Sequence, residues 1–192
     1  MELVAVDHLS LDGVMQAPGR PDEDTRDGFD RGGWAVANSD EIMARAMGGG
    51  MASGAPLLFG RRTYQDFHSF WPHQEGNPFK DVLDHAAKYV ASTTLREPLP
   101  WQNSTLLEGD AVEAVARLKH QQGGEMVVLG SGELVRSLIP HRLIDRFVLM
   151  IHPLVLGTGR RLFPDDMPHL ELKLADSVTT TKGVLIGTYE LA

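Results

Sequence analysis

The sequence predicts an α/β fold with a central, mostly parallel sheet, helices on both faces and an antiparallel hairpin at the C-terminus. Three observations predict it. Strand-type apolar runs alternate with amphipathic helical stretches along the 192 residues, the pattern of a layered α/β domain. Met126-Val127-Val128-Leu129 is apolar throughout and bracketed by Gly124 and Gly130, as a strand buried on both faces requires. The final segments, residues 170–179 and 184–191, flank Lys182-Gly183, a hairpin signal that supplies the antiparallel edge.

In chain order, residues 3–9 read as the first strand. Residues 13–33 fit neither period and hold five glycines, two prolines and the run Pro21-Asp22-Glu23-Asp24; a loop this long is functional or mobile. Residues 40–47 read as a helix opened by Asn38 or Ser39 and ended by Gly48-Gly49-Gly50. Leu57-Leu58-Phe59, closed by Gly60, is a second strand, and residues 62–67 form a short helix after it. Residues 71–79, with two prolines and a glycine, read as a second irregular loop. Lys88–Ala91 is a third strand, ending in Ser92-Thr93-Thr94, and Ser104–Leu107 a fourth.

The clearest helix covers residues 111–121. Asp110 and Glu113 have capping-box spacing, Val112, Val115 and Leu118 share one face, and Gly123 lies beyond the end. Residues 133–139 form another helix, stopped by Pro140, and residues 146–156 a long strand-type run.

Composition narrows the function classes. A chain of 21.1 kDa with 42% apolar and 23% charged residues is globular, and we expect one domain over residues 1–192. The absence of cysteine excludes a disulfide scaffold, a thiolate zinc site and a cysteine nucleophile, and fits a reducing cytoplasm. The net charge of −8 argues against nucleic acid and anionic membrane as partners. The longest apolar run, residues 147–156, is too short to span a bilayer, and the N-terminus has no basic signal-peptide region. His73-Gln74-Glu75 lacks the cysteines of a zinc deaminase, and the eight histidines show no H-E-x-x-H spacing, so no metal is expected. His152 lies in an apolar run and reads as a satisfied core histidine.

Three strand ends read as anion sites. Gly130-Ser131-Gly132 joins a strand to a helix, so free N–H groups and missing side chains let a phosphate approach; a tight turn without ligand is the alternative. Val135 stands where a dinucleotide fingerprint has its third glycine. Gly60-Arg61-Arg62-Thr63 also follows a strand and opens a helix. Two arginines at a helix N-terminus oppose its dipole, a cost that an anionic ligand offsets; pairing with nearby carboxylates is the alternative. Ser92 and Thr93 end a third strand, and polar strand ends converge at the carboxyl edge of an open α/β sheet.

Taken in order, the segments resemble the dihydrofolate reductase-like superfamily. They are most similar to the reductase domain forming the C-terminal half of the bifunctional riboflavin-biosynthesis deaminase-reductase, and to its stand-alone relatives. The markers are Ser10-Leu11-Asp12-Gly13-Val14, Leu57-Leu58-Phe59-Gly60-Arg61-Arg62-Thr63-Tyr64, Lys88-Tyr89-Val90-Ala91-Ser92 and Val128-Leu129-Gly130-Ser131-Gly132. Leu143-Ile144-Asp145-Arg146, Pro153-Leu154-Val155-Leu156-Gly157 with Gly159 and Leu162-Phe163, and Gly183-Val184-Leu185 to Tyr189 follow.

The resemblance implies NADPH as cofactor and hydride transfer to a small heterocyclic (pterin- or pyrimidine-like) or carbonyl substrate. It assigns Gly60, Arg61, Arg62, Thr63, Ser92, Thr93, Gly130, Ser131 and Gly132 to the cofactor phosphates, and Asp12 and Gly13 to the loop over the nicotinamide. It also implies a homodimer, for which residues 147–151 are a candidate surface. The deaminase half is missing, and the acid that protonates the pterin in true dihydrofolate reductases has no match at the same spacing. Asp12, Asp40 and Glu41 remain as proton donors, Trp34 as a substrate wall, and residues 13–33 as a lid. A protein of this fold that binds a nucleotide or pterin without turnover is the competing expectation.

Overall fold

The computed structural model describes residues 1–52, 54–121 and 123–192, with the backbone alone described for residues 48–52. The strands are β1 (Glu2–Ser10), β2 (Leu57–Gly60), β3 (Lys88–Ala91), β4 (Ser104–Leu107), β5 (Glu125–Leu129), β6 (Arg146–His152), β7 (Leu172–Thr179) and β8 (Leu185–Leu191). They form one sheet in the order β4-β3-β2-β5-β1-β6-β8-β7. The helices are α1 (Glu41–Ala52), α2 (Arg61–Phe70), α3 (Pro78–His85), α4 (Ala111–Lys119) and α5 (Gly132–Leu138). Every strand expected from the sequence is present. The run expected over residues 146–156 stops at His152, because Pro153 has no N–H for the ladder.

Internal contacts divide the chain into two units, Met1–Ala5 with Met47–Ile144, and Val6–Ala46 with Asp145–Ala192. In the first, β2 pairs in parallel with both β3 and β5, and β3 pairs in parallel with β4. Leu57, Leu58, Phe59, Val90, Met126 and Val128 are buried, which accounts for the unbroken apolar runs of these strands. The side chain of Asp110 accepts from the N–H groups of Val112 and Glu113, as its spacing predicts, and α4 buries Ala114, Val115 and Leu118.

The expected irregular loop over residues 71–79 is a correction. Trp71–His73 is a short 3-10 helix, and α3 begins at Pro78. Asn77 caps α3 by accepting from the Phe79 N–H at 3.0 Å, and Pro78 occupies the first turn, where a missing N–H does no harm. Trp71 packs against Phe67, Phe70 and Phe79. This segment is therefore built into its own aromatic cluster.

The second unit holds two antiparallel pairs, β6 with β8 and β7 with β8, the latter with a register shift between Leu174 and Asp176. The hairpin turn lies at Lys182-Gly183 as expected, with Gly183 at φ +80° and the Thr180 N–H donating to Val184 at 2.9 Å. Phe147, Leu149 and Met150 are buried. They form core, and Val148 and Ile151 are the partly exposed residues of the expected partner surface over residues 147–151.

Residues 13–33, expected as a lid, are folded into a wall. Val14, Ala17, Phe29 and Leu156 form a buried cluster with Trp34 and Leu154 against it. A bridge pairs Val14 with Arg161, the Met15 N–H donates to Arg160 at 2.9 Å, and the Gly33 N–H donates to Ala17 at 2.8 Å. Gly159 closes the same cluster. At φ +115° a side chain is strained, and a Cβ there would meet Val14 Cγ1 at 2.7 Å and Phe29 at 2.8 Å.

Candidate functional site

The first unit brings the three predicted strand ends side by side. Gly60 is opposite Ala91 in the β2–β3 register, so Ser92 lies one residue past it. Leu58 is opposite Val128, so Gly60 and Gly130 end their strands at the same level. The two glycine turns are bonded together. Ser131 Oγ accepts from the Gly60 N–H at 3.0 Å and donates to the Leu129 carbonyl at 3.3 Å. A Cβ on Gly130 would touch Thr63 Cγ2 at 3.7 Å, which shows how closely α2 adjoins this turn.

The turn is conformationally unusual. Gly130 and Ser131 have φ +53° and +59°. Left-handed backbone is cheap for glycine and strained for serine, and such strain persists where surrounding bonds hold it. Here the Ser131 hydroxyl supplies those bonds.

Among the described residues no side chain caps the N-terminus of α2. Arg61 donates to Gln65 Oε1 at 3.1 Å, and Arg62 is exposed. Among the described residues neither arginine forms an ion pair with a carboxylate. The carboxylate pairing that would make them ordinary surface charges is absent there. At the neighbouring strand end, Ser92 Oγ accepts from the Thr94 and Leu95 N–H groups at 3.1 and 3.0 Å, so its oxygen shapes the turn. Thr93 is exposed, and its carbonyl accepts from Arg96 Nη1 at 3.4 Å. Arg96 is a cation at this edge that the motif reading missed. These cations, the uncapped α2 terminus and the close glycine turn fit the phosphates of a dinucleotide.

The second unit holds the predicted acids, and two are already committed. Asp12 Oδ1 accepts from Ser10 Oγ at 2.7 Å and from the Leu156 N–H at 3.0 Å; Asp12 Oδ2 accepts from the Gly157 N–H at 2.7 Å. These donors outweigh desolvation, the largest single influence, and hold the carboxyl down at about 2. Asp12 is thus an ionised tie between the end of β1 and residues 156–157.

Asp40 is the N-cap of α1, which corrects the expected Asn38 or Ser39. Its Oδ1 accepts from the Met43 N–H at 2.9 Å, and its Oδ2 accepts from Thr181 N and Oγ1 at 2.7 and 2.6 Å. The Thr181 hydroxyl is the main cause that holds this carboxyl at about 2. Glu41 is exposed in the first turn of α1. The helix also runs through the glycines expected to end it, to Ala52.

Trp34 stands edge-on to His152 with ring centroids 5.2 Å apart, and its Nε1 donates to the Gln16 carbonyl at 2.8 Å. His152 is fully buried. His8 Nδ1 and His152 Nε2 are 2.9 Å apart, and burial lowers the two rings to about 3 and about 4, so both are neutral at pH 7. His152 Nδ1 has no hydrogen-bond partner among the described residues, so this histidine is half satisfied.

Comparison with known proteins decides the family. The family model described as the RibD C-terminal domain matches residues 3–186. The chain belongs to the RibD C-terminal domain family. It is 31% identical over 138 residues to the Bacillus subtilis protein YyaP, covering 69% of this chain and 72% of YyaP. A structure provisionally assigned to riboflavin biosynthesis, from Shewanella sp. PV-4, superposes with a TM-score of 0.69 at 23% identity, covering 100% of this chain and 99% of that one. Schistosoma mansoni dihydrofolate reductase superposes with a TM-score of 0.58 at 13% identity, covering 100% and 99%. The fold is dihydrofolate reductase-like, and the family is a reductase-like one.

Within this RibD C-terminal domain, sequence reasoning missed Asp7. It lies three residues before Ser10-Leu11-Asp12-Gly13 and is 5% exposed. A charged residue inside an apolar strand run was the available signal. Among the described residues no cluster of three or more metal-ligating side chains occurs, and no helix is long and apolar enough to cross a membrane.

Proposed function

We propose that this domain is an NADPH-dependent reductase acting on a small heterocyclic, pterin- or pyrimidine-like, or carbonyl substrate. One observation carries the cofactor half of the reading. In a protein of net charge −8, two arginines that have no carboxylate partner among the described residues open a helix whose N-terminus none of those residues' side chains caps, against a glycine turn fixed by Ser131. That combination is a cost without an anion and a binding site with one.

Arg61, Arg62 and Thr63 hold cofactor phosphate with the Gly130-Ser131-Gly132 turn, and Ser92, Thr93 and Arg96 hold a further phosphate, which favours NADPH over NADH. The bound cofactor supplies the hydride. The chain itself binds, orients and excludes water. In the second unit Asp12 and Gly13 fix the start of the wall over residues 13–33, and Trp34 offers an aromatic edge to the substrate. Glu41 is the one predicted acid not already bonded as an ionised acceptor.

The Arg61→Ala variant tests this reading. Its NADPH dissociation constant should rise about tenfold or more, the loss of a charge-assisted pair, with its melting temperature unchanged. Equal loss of binding and stability would return Arg61 to a structural role. Binding without turnover is the second reading, favoured by the ionised state of Asp12 and Asp40. It predicts saturable NADPH binding with no oxidation of NADPH by any pterin, pyrimidine or carbonyl offered.

A further inference from the structure

Arg161, in the second unit, has a guanidinium fixed at one end and open at the other. Its backbone is bridged to Val14, and the Leu162 N–H beyond it donates to the Gly13 carbonyl at 3.1 Å. Its Nε donates to the Asp12 carbonyl at 2.8 Å, which orients the planar group. The residue is exposed, and among the described residues its Nη1 and Nη2 have no partner. The other arginines of the wall and its bridge are spoken for. Arg20, Arg26, Arg31 and Arg160 each face a carboxylate, that of Asp22, Asp24, Asp30 and Asp27. Arg161 meets Asp12 only at its main chain, while the carboxyl oxygens of Asp12 are taken by Ser10, Leu156 and Gly157.

Apolar surface lies on the segments joined to this arginine. Leu11 and Val155 are 63% and 67% exposed, more than any other large apolar side chain among the described residues. Leu11 directly precedes Asp12, and its N–H donates to the carbonyl of Leu154, the neighbour of Val155, at 2.8 Å. One exposed apolar side chain needs no explanation. Two on hydrogen-bonded segments, next to an oriented guanidinium without a counter-charge, form a surface with an apolar part and a cationic part.

We infer that Arg161 is the anion-recognising residue of a ligand site in this unit, taking the carboxylate or phosphate oxygens of a small molecule whose apolar part rests on Leu11 and Val155. The arginine fork offers two parallel N–H donors to such an oxyanion. A guanidinium already held at Nε loses less freedom when it binds. That this molecule is the substrate of the reduction rests on the reductase reading above, and the substrate class then gains an acidic group. The site itself is built from this unit alone.

The experiment is nitrogen-15 NMR of arginine-labelled protein, wild type and Arg161→Gln. The probes are phenyl phosphate and benzoate, their ring-less counterparts inorganic phosphate and acetate, and uncharged benzamide. The Nε–H resonance missing in Arg161→Gln is that of Arg161; if this variant does not fold, Arg161→Lys identifies it. We expect phenyl phosphate, benzoate or both to move that resonance saturably, in roughly the millimolar range, and the probe that moves it names the oxyanion. The ring-less anion should bind about tenfold more weakly, since it leaves Leu11 and Val155 in water, and Leu11→Ser should narrow that gap. Benzamide should leave the resonance in place. A resonance unmoved by both aryl anions, or moved as far by benzamide, overturns the assignment. Equal affinity for an aryl anion and its ring-less counterpart overturns the role of Leu11 and Val155. NADPH titration by tryptophan fluorescence accompanies it. Failure of the wild-type protein to bind NADPH overturns the reductase reading, and with it the naming of the ligand as substrate, whatever Arg161 does.

Discussion

Ser131 Oγ accepts the Gly60 N–H at 3.0 Å, and this one bond joins two strand-to-helix turns far apart in sequence. It also explains how a serine is held at φ +59°. A Ser131→Ala variant leaves the Gly60 N–H without its partner. It should lose about 1–2 kcal/mol of unfolding free energy, read by urea denaturation. NADPH binding should weaken by about an order of magnitude as the turn relaxes, read by fluorescence titration. Unchanged stability would mean the bond does not hold the turn.

Asp12 ties β1 to residues 156–157 as an ionised acceptor. Its folded carboxyl lies at about 2, below the unfolded value, so the stability it supplies is present above about pH 4. That stability is lost as pH falls toward 2. Asp12→Asn should therefore melt lower than wild type at pH 7, with the gap closing by pH 2. A gap that stays constant with pH would show that charge plays no part in the tie.

Asp7 has the opposite sign. Its folded carboxyl is raised to about 8, so the folded state binds a proton that the unfolded state releases above about pH 4. Wild-type stability should fall as pH rises from 4 to 8, and Asp7→Asn should remove that slope. Parallel profiles for the two proteins would contradict an enclosed, protonated Asp7.

Lys88 is buried in the first unit with its Nζ 4.7 Å above the Trp101 ring. It donates to the carbonyls of Asp84, Ala86 and Gln102 at 3.2, 2.7 and 3.0 Å. Lys88→Met strips three carbonyls, that of Asp84 in a buried bond, of their donor and should cost about 2–4 kcal/mol, measured by urea denaturation with Trp101 emission as a second probe. A loss under about 0.5 kcal/mol, the range of ordinary surface changes, would make the stitch redundant.

The sheet was legible in the sequence because buried parallel strands leave unbroken apolar runs, as in Met126 to Leu129, and because Asp110 and Lys182-Gly183 carry local turn and cap chemistry. Helix α3 was hidden because its first turn is Asn77-Pro78, a pair that serves equally as loop punctuation. The cap of α1 was misplaced by one or two residues, since Asn38, Ser39 and Asp40 are all competent caps and it is Asp40 that accepts from the Met43 N–H and from Thr181.

The candidate site was half legible. Glycine turns and arginines are sequence-local, so the strand ends could be named. The state of the acids could not. Asp12 and Asp40 are committed in part by N–H and hydroxyl donors 141 or more residues away, and Asp7 is set apart by burial alone.

The central claim, a reductase that takes its hydride from NADPH, is tested most directly by fluorescence titration of the wild-type protein with NADPH and, separately, NADH. Trp34, Trp71 and Trp101 report binding. We predict saturable binding in the micromolar range, about −8 kcal/mol, tighter for NADPH than for NADH. No binding of either nucleotide would contradict the account, and the glycine turns and arginines would then belong to a reductase-like fold put to another use.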